Sequence, residues 1–511
     1  MPTSSYVLAG ETDALTRAAE LADRLRAGVG APEVVTRTVF DTADRRLRAA
    51  GLELAIEATE GPARFVLDGP AGARPLRVPC PRPRRRYLAD DLPDGELATR
   101  LAAIVDVRAL LPVVEIRREE IPVAVLDGEA KTVVRLRVAD LWAVAKGGST
   151  PVRLRGRIEA TGVLGYGKHF TLVDTALRAD PDLAAADTGV ADDAVTALGG
   201  SPAGLSGRVR VDIDRDEPTG TASRRVLRGL ADVVEANRPG TLDDLDTEFL
   251  HDLRVAIRRS RSVLRQMKRA FDPDVRREHA GSLRAVQAAT GPTRDLDVQL
   301  MAWDGLVAQV PEDRRAALAP VRALLVEHRA AALRTMKAAL RSAEHRRRWT
   351  AWRLFLATDA VGHVGVDAAR PIGKVARRRV RSLHARIVRD GGALTPDSPA
   401  EALHEIRKQG KELRYLLDLF GPALWPASEV KPLQRALKGL QDELGHHNDR
   451  DVQARRLGAL APELAQRPGG AEALLALGSV IDRLEADQRG ARANVAERFA
   501  VLARIDLGGI T

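Results

Sequence analysis

Residues 251–266 read HDLRVAIRRSRSVLRQ, and residues 404–420 read HEIRKQGKELRYLLDLF. Aligning His251 with His404 sets Arg254 on Arg407, Arg258 on Lys411 and Arg261 on Arg414, so both stretches follow the pattern His-x-x-Arg-x-x-x-basic-x-x-Arg. On a helix turning about 100° per residue these four positions fall within an arc of about 80°, and in the first stretch Arg265 joins them. Apolar residues such as Leu253, Ile257 and Val263, or Ile406, Leu413 and Leu417, occupy other faces and are expected to pack. Like charges at these spacings destabilise an isolated helix by about 0.2–0.5 kcal/mol per pair. A face that stacks four or five of them without carboxylates between calls for an anionic ligand.

The duplication continues downstream. LRAVQAATGPTRDLDV (283–298) aligns without a gap with LKGLQDELGHHNDRDV (437–452), and the His-to-Gln distance is 36 residues in one copy and 37 in the other. Two ordered motifs at nearly equal separation indicate an internal repeat of about 150 residues, each unit predicted to be a bundle of long antiparallel helices. A duplicated basic face implies pseudo-two-fold symmetry and one groove lined by both copies. Such a groove suits a repeating polyanion better than a single phosphate monoester. Guanidinium forks bind phosphate oxygens bidentately, Lys411 adds a point charge, and His251 and His404 donate from a ring nitrogen, gaining charge near pH of about 6.5.

Charge is distributed to match. Residues 1–200 hold 27 Lys and Arg against 29 Asp and Glu, a net of −2, and residues 201–511 hold 53 against 41, a net of +12. The polyanion is therefore expected on the C-terminal part. Cys80 is the single cysteine, so no intramolecular disulfide forms, and the first thirty residues carry Glu11, Asp13, Glu20 and Asp23 where a secretory signal needs an apolar run. No apolar run has membrane-spanning length, and a cytoplasmic protein without a membrane partner is expected. Aromatic residues make up 3% of the chain and offer few stacking platforms, which places nucleic acid behind other polyanions.

Texture divides the chain. Residues 1–178 mix an early helix with short β-type runs such as RFVLDG and KTVVRLRVADLWAV. Beyond residue 220 helical periodicity dominates, with breaks expected at RPGT, FDPD, TGPT, QVPED, RDGGALTPDSP and FGPALWP. The predicted organisation is an α+β domain over 1–205, a linker over 206–217 and an all-α domain over 218–511, with repeat halves at about 218–360 and 370–505.

The paired basic segments, each followed by an LxxxQxxxGxxxDxDV element, resemble the conserved-histidine α-helical domain, CHAD, over roughly residues 218–505. The resemblance implies two pseudo-symmetric four-helix bundles around a basic channel that binds inorganic polyphosphate, often on polyphosphate granules. It makes His251, Arg254, Arg258 and Arg261, with His404, Arg407, Lys411 and Arg414, the ligand-binding positions, and helical spacing adds Arg265 to the first set. Arg225, Lys374 and Arg378 on the preceding helices are further candidates. Asp295, Asp297, Asp449 and Asp451 are assigned to capping and helix connections, since carboxylates would repel the ligand. Asn448 stands where the first copy has Arg294, so the halves need not bind equally. In GHHND (445–449), Asn448 or Asp449 reads as a cap rather than part of a metal site.

TVFDTADRRLRAAGLEL (38–54) and the later β runs resemble, more weakly, the triphosphate tunnel (CYTH) domain, which implies a tunnel-like β-barrel. Enzymes of that family are expected to hold metal with a Glu-x-Glu-x-Lys strand, yet the first strand here reads SSYVLAGE. ELAIEATE stands where basic residues are wanted, and VRLRGRIEA brings arginines where acids are wanted. The barrel is therefore read as degenerate, with no catalytic residues, metal ligands or cofactor assigned. Three functions remain: non-catalytic polyphosphate binding, a metal-dependent triphosphatase or polyphosphatase in the N-terminal domain, and nucleic-acid binding by the basic helical face.

Overall fold

In the computed structural model, residues 1–10, 12–59, 61–69, 74–144, 150–357, 365–395, 398–508 and 510 are described. They form two compact units, Met1–Ser206 and Gly207–Thr511. Residues 358–364, where the first repeat half is expected to end, lie outside the described residues.

The first unit is built on an antiparallel sheet of eleven strands: β1 (Thr3–Leu8), β2 (Ala27–Val29), β3 (Glu33–Asp41), β4 (Glu53–Ala58), β5 (Arg64–Asp68), β6 (Leu76–Pro79), β7 (Leu111–Leu126), β8 (Thr132–Val144), β9 (Val152–Arg153), β10 (Arg157–Gly162) and β11 (Leu183–Ala185). The pairing path is β11-β1-β10-β8-β7-β3-β4-β5-β6, and among the described residues its two ends do not pair with each other. Period-two alternation sorts the side chains. On one face Leu136, Val138, Ile121, Val123 and Ile158 pack against α1 (Ala14–Leu25) and, further along the chain, against Phe170, Val173 and Leu177 of the helix Gly167–Arg178. The remaining helices of this unit are α2 (Arg46–Ala49), α3 (Glu96–Val105), α4 (that Gly167–Arg178 helix) and α5 (Val190–Ala197). Asp41, within the FDT element, is buried and accepts the backbone N–H groups of Thr42, Leu47 and Arg48 at 2.7, 2.9 and 3.0 Å, so it shapes the turn into α2.

The second unit is helical: α6 (Thr219–Asp243), α7 (Thr247–Gln266), α8 (Pro273–Met301), α9 (Trp303–Val307), α10 (Glu312–Arg315), α11 (Ala319–Arg341), α12 (Ala343–Ala357), α13 (Ile372–Gly392), α14 (Ala400–Leu424), α15 (Ala427–Gly458), α16 (Ala461–Leu464) and α17 (Gly470–Ala503). The repeat appears as α6-α7-α8-α11 followed by α13-α14-α15-α17. Its symmetry is written in backbone hydrogen bonds. Thr219 N–H donates to Arg370 O at 2.9 Å and Ile372 N–H to Glu217 O at 3.0 Å; Gly220 N–H donates to Ala368 O at 2.9 Å and Gly373 N–H to Arg215 O at 2.8 Å. Each pair turns into its mate by a shift of 153 residues, the His251-to-His404 offset, and the antiparallel bridge Pro218·Pro371 lies at the centre. Both repeats share one continuous core, from Val226 and Leu253 in the first to Leu413, Leu437 and Val495 in the second. A second core joins Val321, Leu324 and Leu325 of α11 to Leu457, Leu477 and Leu484 of α15 and α17.

Two of the expected breaks are corrected. RPGT lies inside α6 and TGPT inside α8, with Pro239 and Pro292 in helix interiors. Proline disfavours an isolated helix, but here tertiary burial along both helices outweighs that local preference. Gly240 shows what the first motif does instead. A Cβ there would lie 2.4 Å from the ring of Phe249, which is buried. In a free helix Gly→Ala stabilises by about 1 kcal/mol; Gly240→Ala is expected instead to destabilise by about 1–3 kcal/mol through overpacking. A lower urea midpoint checks this, and a higher one contradicts it.

Candidate anion-binding site

Each basic helix is held by its own sequence. Asp246 caps α7, accepting from the N–H groups of Glu248 and Phe249 at 2.9 and 3.2 Å, and Phe249, Leu253, Ile257 and Leu264 form the buried stripe that fixes its rotation. Leu403, Ile406, Leu413 and Leu417 do the same for α14. The two helices then pack on each other. Arg259 lies 3.7 Å from Asp418, and Arg265 lies 3.0 Å from Glu412. The 153-residue shift carries position 259 to 412 and 265 to 418, so these ion pairs are symmetry mates with their signs exchanged. Gln266 adds a 2.5 Å hydrogen bond to Glu412.

This crossing brings the two stripes together at Arg258 and Lys411. Burial, followed by repulsion from Arg407, Arg258 and Arg414, pushes the Lys411 ammonium down to about 8, with Asp449 opposing. Burial and the neighbouring Arg258 and Arg294 likewise push Arg254 down to about 10, against the pull of Asp295. Few acids answer these charges. Arg254 donates to the Gln287 carbonyl and the Thr290 hydroxyl, both at 2.8 Å, Arg261 donates to the side-chain oxygen of Gln287, and Arg414 donates to that of Gln441 at 3.0 Å. Arg407 has Asp449 at 3.0 Å. Neutral oxygens hold Arg254 and Arg261 in place without cancelling their charge, whereas Arg407 has Asp449 and Arg414 has Asp418 at 3.6 Å as partial counter-ions; the surplus is the arrangement an anion needs.

The two histidines differ. Arg294, which can only donate, lies 2.9 Å from Nδ1 of His251, so that nitrogen must accept and the ring proton sits on Nε2. Nδ1 of His404 meets Oδ1 of Asn448 at 3.0 Å, so it donates, and Nε2 becomes a donor only when the ring is protonated. The exchange of Arg294 for Asn448 thus sets opposite tautomers in the two halves.

Several expected site residues are engaged elsewhere. Arg265 joins α7 to α14 through Glu412. Arg225 pairs with Glu217 at 2.9 Å, and Arg378 shares the buried Asp367 with Arg269 and Arg370. Lys374 is exposed on α13. The four aspartates are corrected: none caps a helix, since Asp295 and Asp297 lie inside α8, and Asp449 and Asp451 inside α15. They are counter-ions, Asp295 to Arg456 at 2.5 Å, Asp297 to Arg329 at 2.7 Å and Asp451 to Arg455 at 2.5 Å. Asn448 also lies within α15 and is no cap. Sequence reasoning missed Arg284, whose charge acts on Arg261, and its repeat mate Lys438. The signal was in the aligned LRAVQ and LKGLQ, where a basic residue follows leucine in both copies.

In the first unit, the sheet face opposite the apolar one carries its own charges, and these are paired. Arg37 is ringed by Glu53, Asp68 and Glu57 at 3.0, 2.6 and 3.2 Å, and Arg118 by Glu120 and Glu159 at 2.6 and 3.0 Å. Burial alone would depress Arg37, but the three carboxylates outweigh it and hold the guanidinium above its ordinary value. Burial raises Glu53 despite Arg37. Among the described residues no group of three or more His, Cys, Asp or Glu side chains is placed to hold a metal ion. No described helix is long and apolar enough to cross a membrane.

The CHAD domain family model matches residues 225–458. The CHAD domain from the plant Ricinus communis is 24% identical, with a TM-score of 0.49, covering 59% of this chain and 97% of its own. PptA from Streptomyces chartreusis is 18% identical, with a TM-score of 0.43, covering 55% of this chain and 99% of its own. A candidate adenylate cyclase from Bacillus halodurans is 16% identical, with a TM-score of 0.26, covering 37% of this chain and 96% of its own. No curated protein matches. The sheet-rich first unit is thus followed by helices in which residues 225–458 are a CHAD domain.

Proposed function

We propose that the helical unit binds inorganic polyphosphate along the facing basic stripes of α7 and α14, without catalysis, and that this binding lets the protein associate with polyphosphate granules. The observation that carries the proposal is the cluster at the crossing: Lys411 is desolvated beside Arg258, Arg407 and Arg414, with Asp449 opposing them. Holding such a cluster together without a ligand is unfavourable, and a chain of phosphates relieves it at every residue in turn. His251, Arg254 and Arg261 in one half, with His404, Arg407 and Arg414 in the other, extend the track, and Arg284 and Lys438 widen it. The first unit is read as a non-catalytic companion, because the acids on its charged face are already tied to Arg37 and Arg118.

The lysine supplies a test. Its folded value, about 8, lies below that of an unfolded chain, so the unfolded state binds more protons between pH 8 and the ordinary lysine range. Stability of the free protein therefore rises with pH across that window. Polyphosphate acts in the opposite direction, because its charge favours the ammonium and draws a proton in. Binding near pH 8 is expected to take up a proton, and affinity to fall by about tenfold per pH unit above it. Calorimetry in two buffers of different ionisation enthalpy measures the uptake, and Lys411→Arg should abolish it. Uptake that persists in Lys411→Arg would place the ligand elsewhere, and displacement of polyphosphate by RNA at equal phosphate concentration would favour nucleic acid instead.

A further inference from the structure

Residues 207–213 read GRVRVDI and run as an extended strap over the helical unit. Its alternation is that of a strand with one face down. Val209 and Val211 pack against the core and Ile213 is buried within it, while Arg208, Arg210 and Asp212 are exposed. The fit is close: a Cβ at Gly229 of α6 would lie 2.7 Å from Val209, so glycine is what lets the strap approach. Arg259 fixes its start by donating to the Gly207 carbonyl at 3.4 Å, and Arg225 donates to the Asp212 carbonyl near its end.

Beside the strap lies a cleft of about 850 Å³, into whose walls α7, α14 and α15 also contribute. Its charged lining is Arg208, Arg210, Arg259, Arg414 and Lys438 against Asp212 and Asp418. Asp418 is already shared: Arg259 lies 3.7 Å away, Arg414 3.6 Å and the Gln434 amide 3.0 Å. Lys438 meets Asp442 on its own exposed turn at 2.8 Å. Five cationic side chains thus line the cleft against two carboxylates, and with Val209 and Val211 packed on the core both strap arginines are exposed. Arg414 is common to this cleft and to the α14 stripe, where its charge acts on Lys411. The 153-residue shift sets positions 208 and 210 on Val361 and His363, so the paired arginines belong to one repeat only.

We propose that Arg208 and Arg210, with Arg259, Arg414 and Lys438, form a second phosphate subsite that receives a polyphosphate chain as it leaves the α7–α14 stripes, on one side of the pseudo-two-fold axis. The proposal rests on the polyphosphate reading above and adds to it an asymmetric exit.

The test compares tripolyphosphate, too short to span both sites, with long-chain polyphosphate. In the combined Arg208→Ala and Arg210→Ala variant, affinity for the long chain should fall about tenfold and the salt slope should shrink by about 1.4, two cations at roughly 0.7 each. Tripolyphosphate affinity should stay within about twofold of wild type, and the Arg208→Lys and Arg210→Lys variant should keep most long-chain affinity, since charge is retained. Unchanged long-chain affinity and slope would overturn the subsite while leaving the central stripes standing, provided the wild type binds. An equal loss for both ligands would contradict a separate subsite, and a wild type that binds no polyphosphate would remove this proposal together with its parent.

Discussion

Replacing Arg254, Arg258, Arg407 and Lys411 together with alanine is expected to lower affinity for long-chain polyphosphate by at least about 10³-fold, since each charge-assisted phosphate contact contributes upwards of about 1 kcal/mol. The fold should survive. Arg254 and Lys411 are partly desolvated among like charges, and Arg258 Nε finds no hydrogen-bond partner among the described residues. Their removal deletes mutual repulsion together with the Arg254 hydrogen bonds and the Arg407–Asp449 pair, while Leu253, Ile257, Leu413 and Leu417 still hold the two helices from their opposite faces. Circular dichroism and a thermal midpoint near that of wild type would accompany the loss of binding. A variant that binds normally would make the repeated stripe structural.

Arg329→Ala should produce the largest loss of stability. Asp297, inside α8 with a side chain 1% exposed, has Arg329 at 2.7 Å, and the same guanidinium reaches Asp244 at 2.6 Å, the residue that closes α6 in the left-handed region. Without Arg329 a buried carboxylate is left unpaired, which costs about 3–5 kcal/mol. Burial already holds Asp297 above the ordinary carboxylate value even with Arg329 present, so the variant should take up a proton there more readily still. An acid whose folded value is raised gains folded-state stability as pH falls, so the deficit should shrink towards acid pH. Adding Asp297→Asn should recover part of it in a double-mutant cycle. An Arg329→Ala midpoint equal to that of wild type at neutral pH would contradict the network.

The fold was legible where the sequence carried a period. The offset of 153 residues between the two histidines is the shift that relates the backbone bridges around Pro218 and Pro371 and the exchanged ion pairs of α7 and α14. Helical spacing also brought Arg254, Arg258 and Arg261 onto one stripe, and their repeat mates onto another. What spacing could not reveal was the neighbour. Arg265 falls in the same arc as its companions, yet it faces Glu412 of the other repeat. Pro239 and Pro292 read as breaks because local preference ignores the core on both sides of them. Asp297 read as a cap because its partner, Arg329, lies on a different helix. The strap over 207–213 looked like a linker by composition, and only the glycine beneath Val209 reveals that it packs.

The measurement that bears most directly on the central claim is titration of the wild-type protein with polyphosphates of increasing chain length over a series of salt concentrations. The facing stripes predict affinity that climbs with chain length until the track is filled. They also predict a slope of log affinity against log salt of roughly −4 to −6, as about six to eight cations each release about 0.7 of a counterion. Affinity that ignores chain length, with a slope near zero, would contradict a polyphosphate track between the two repeats.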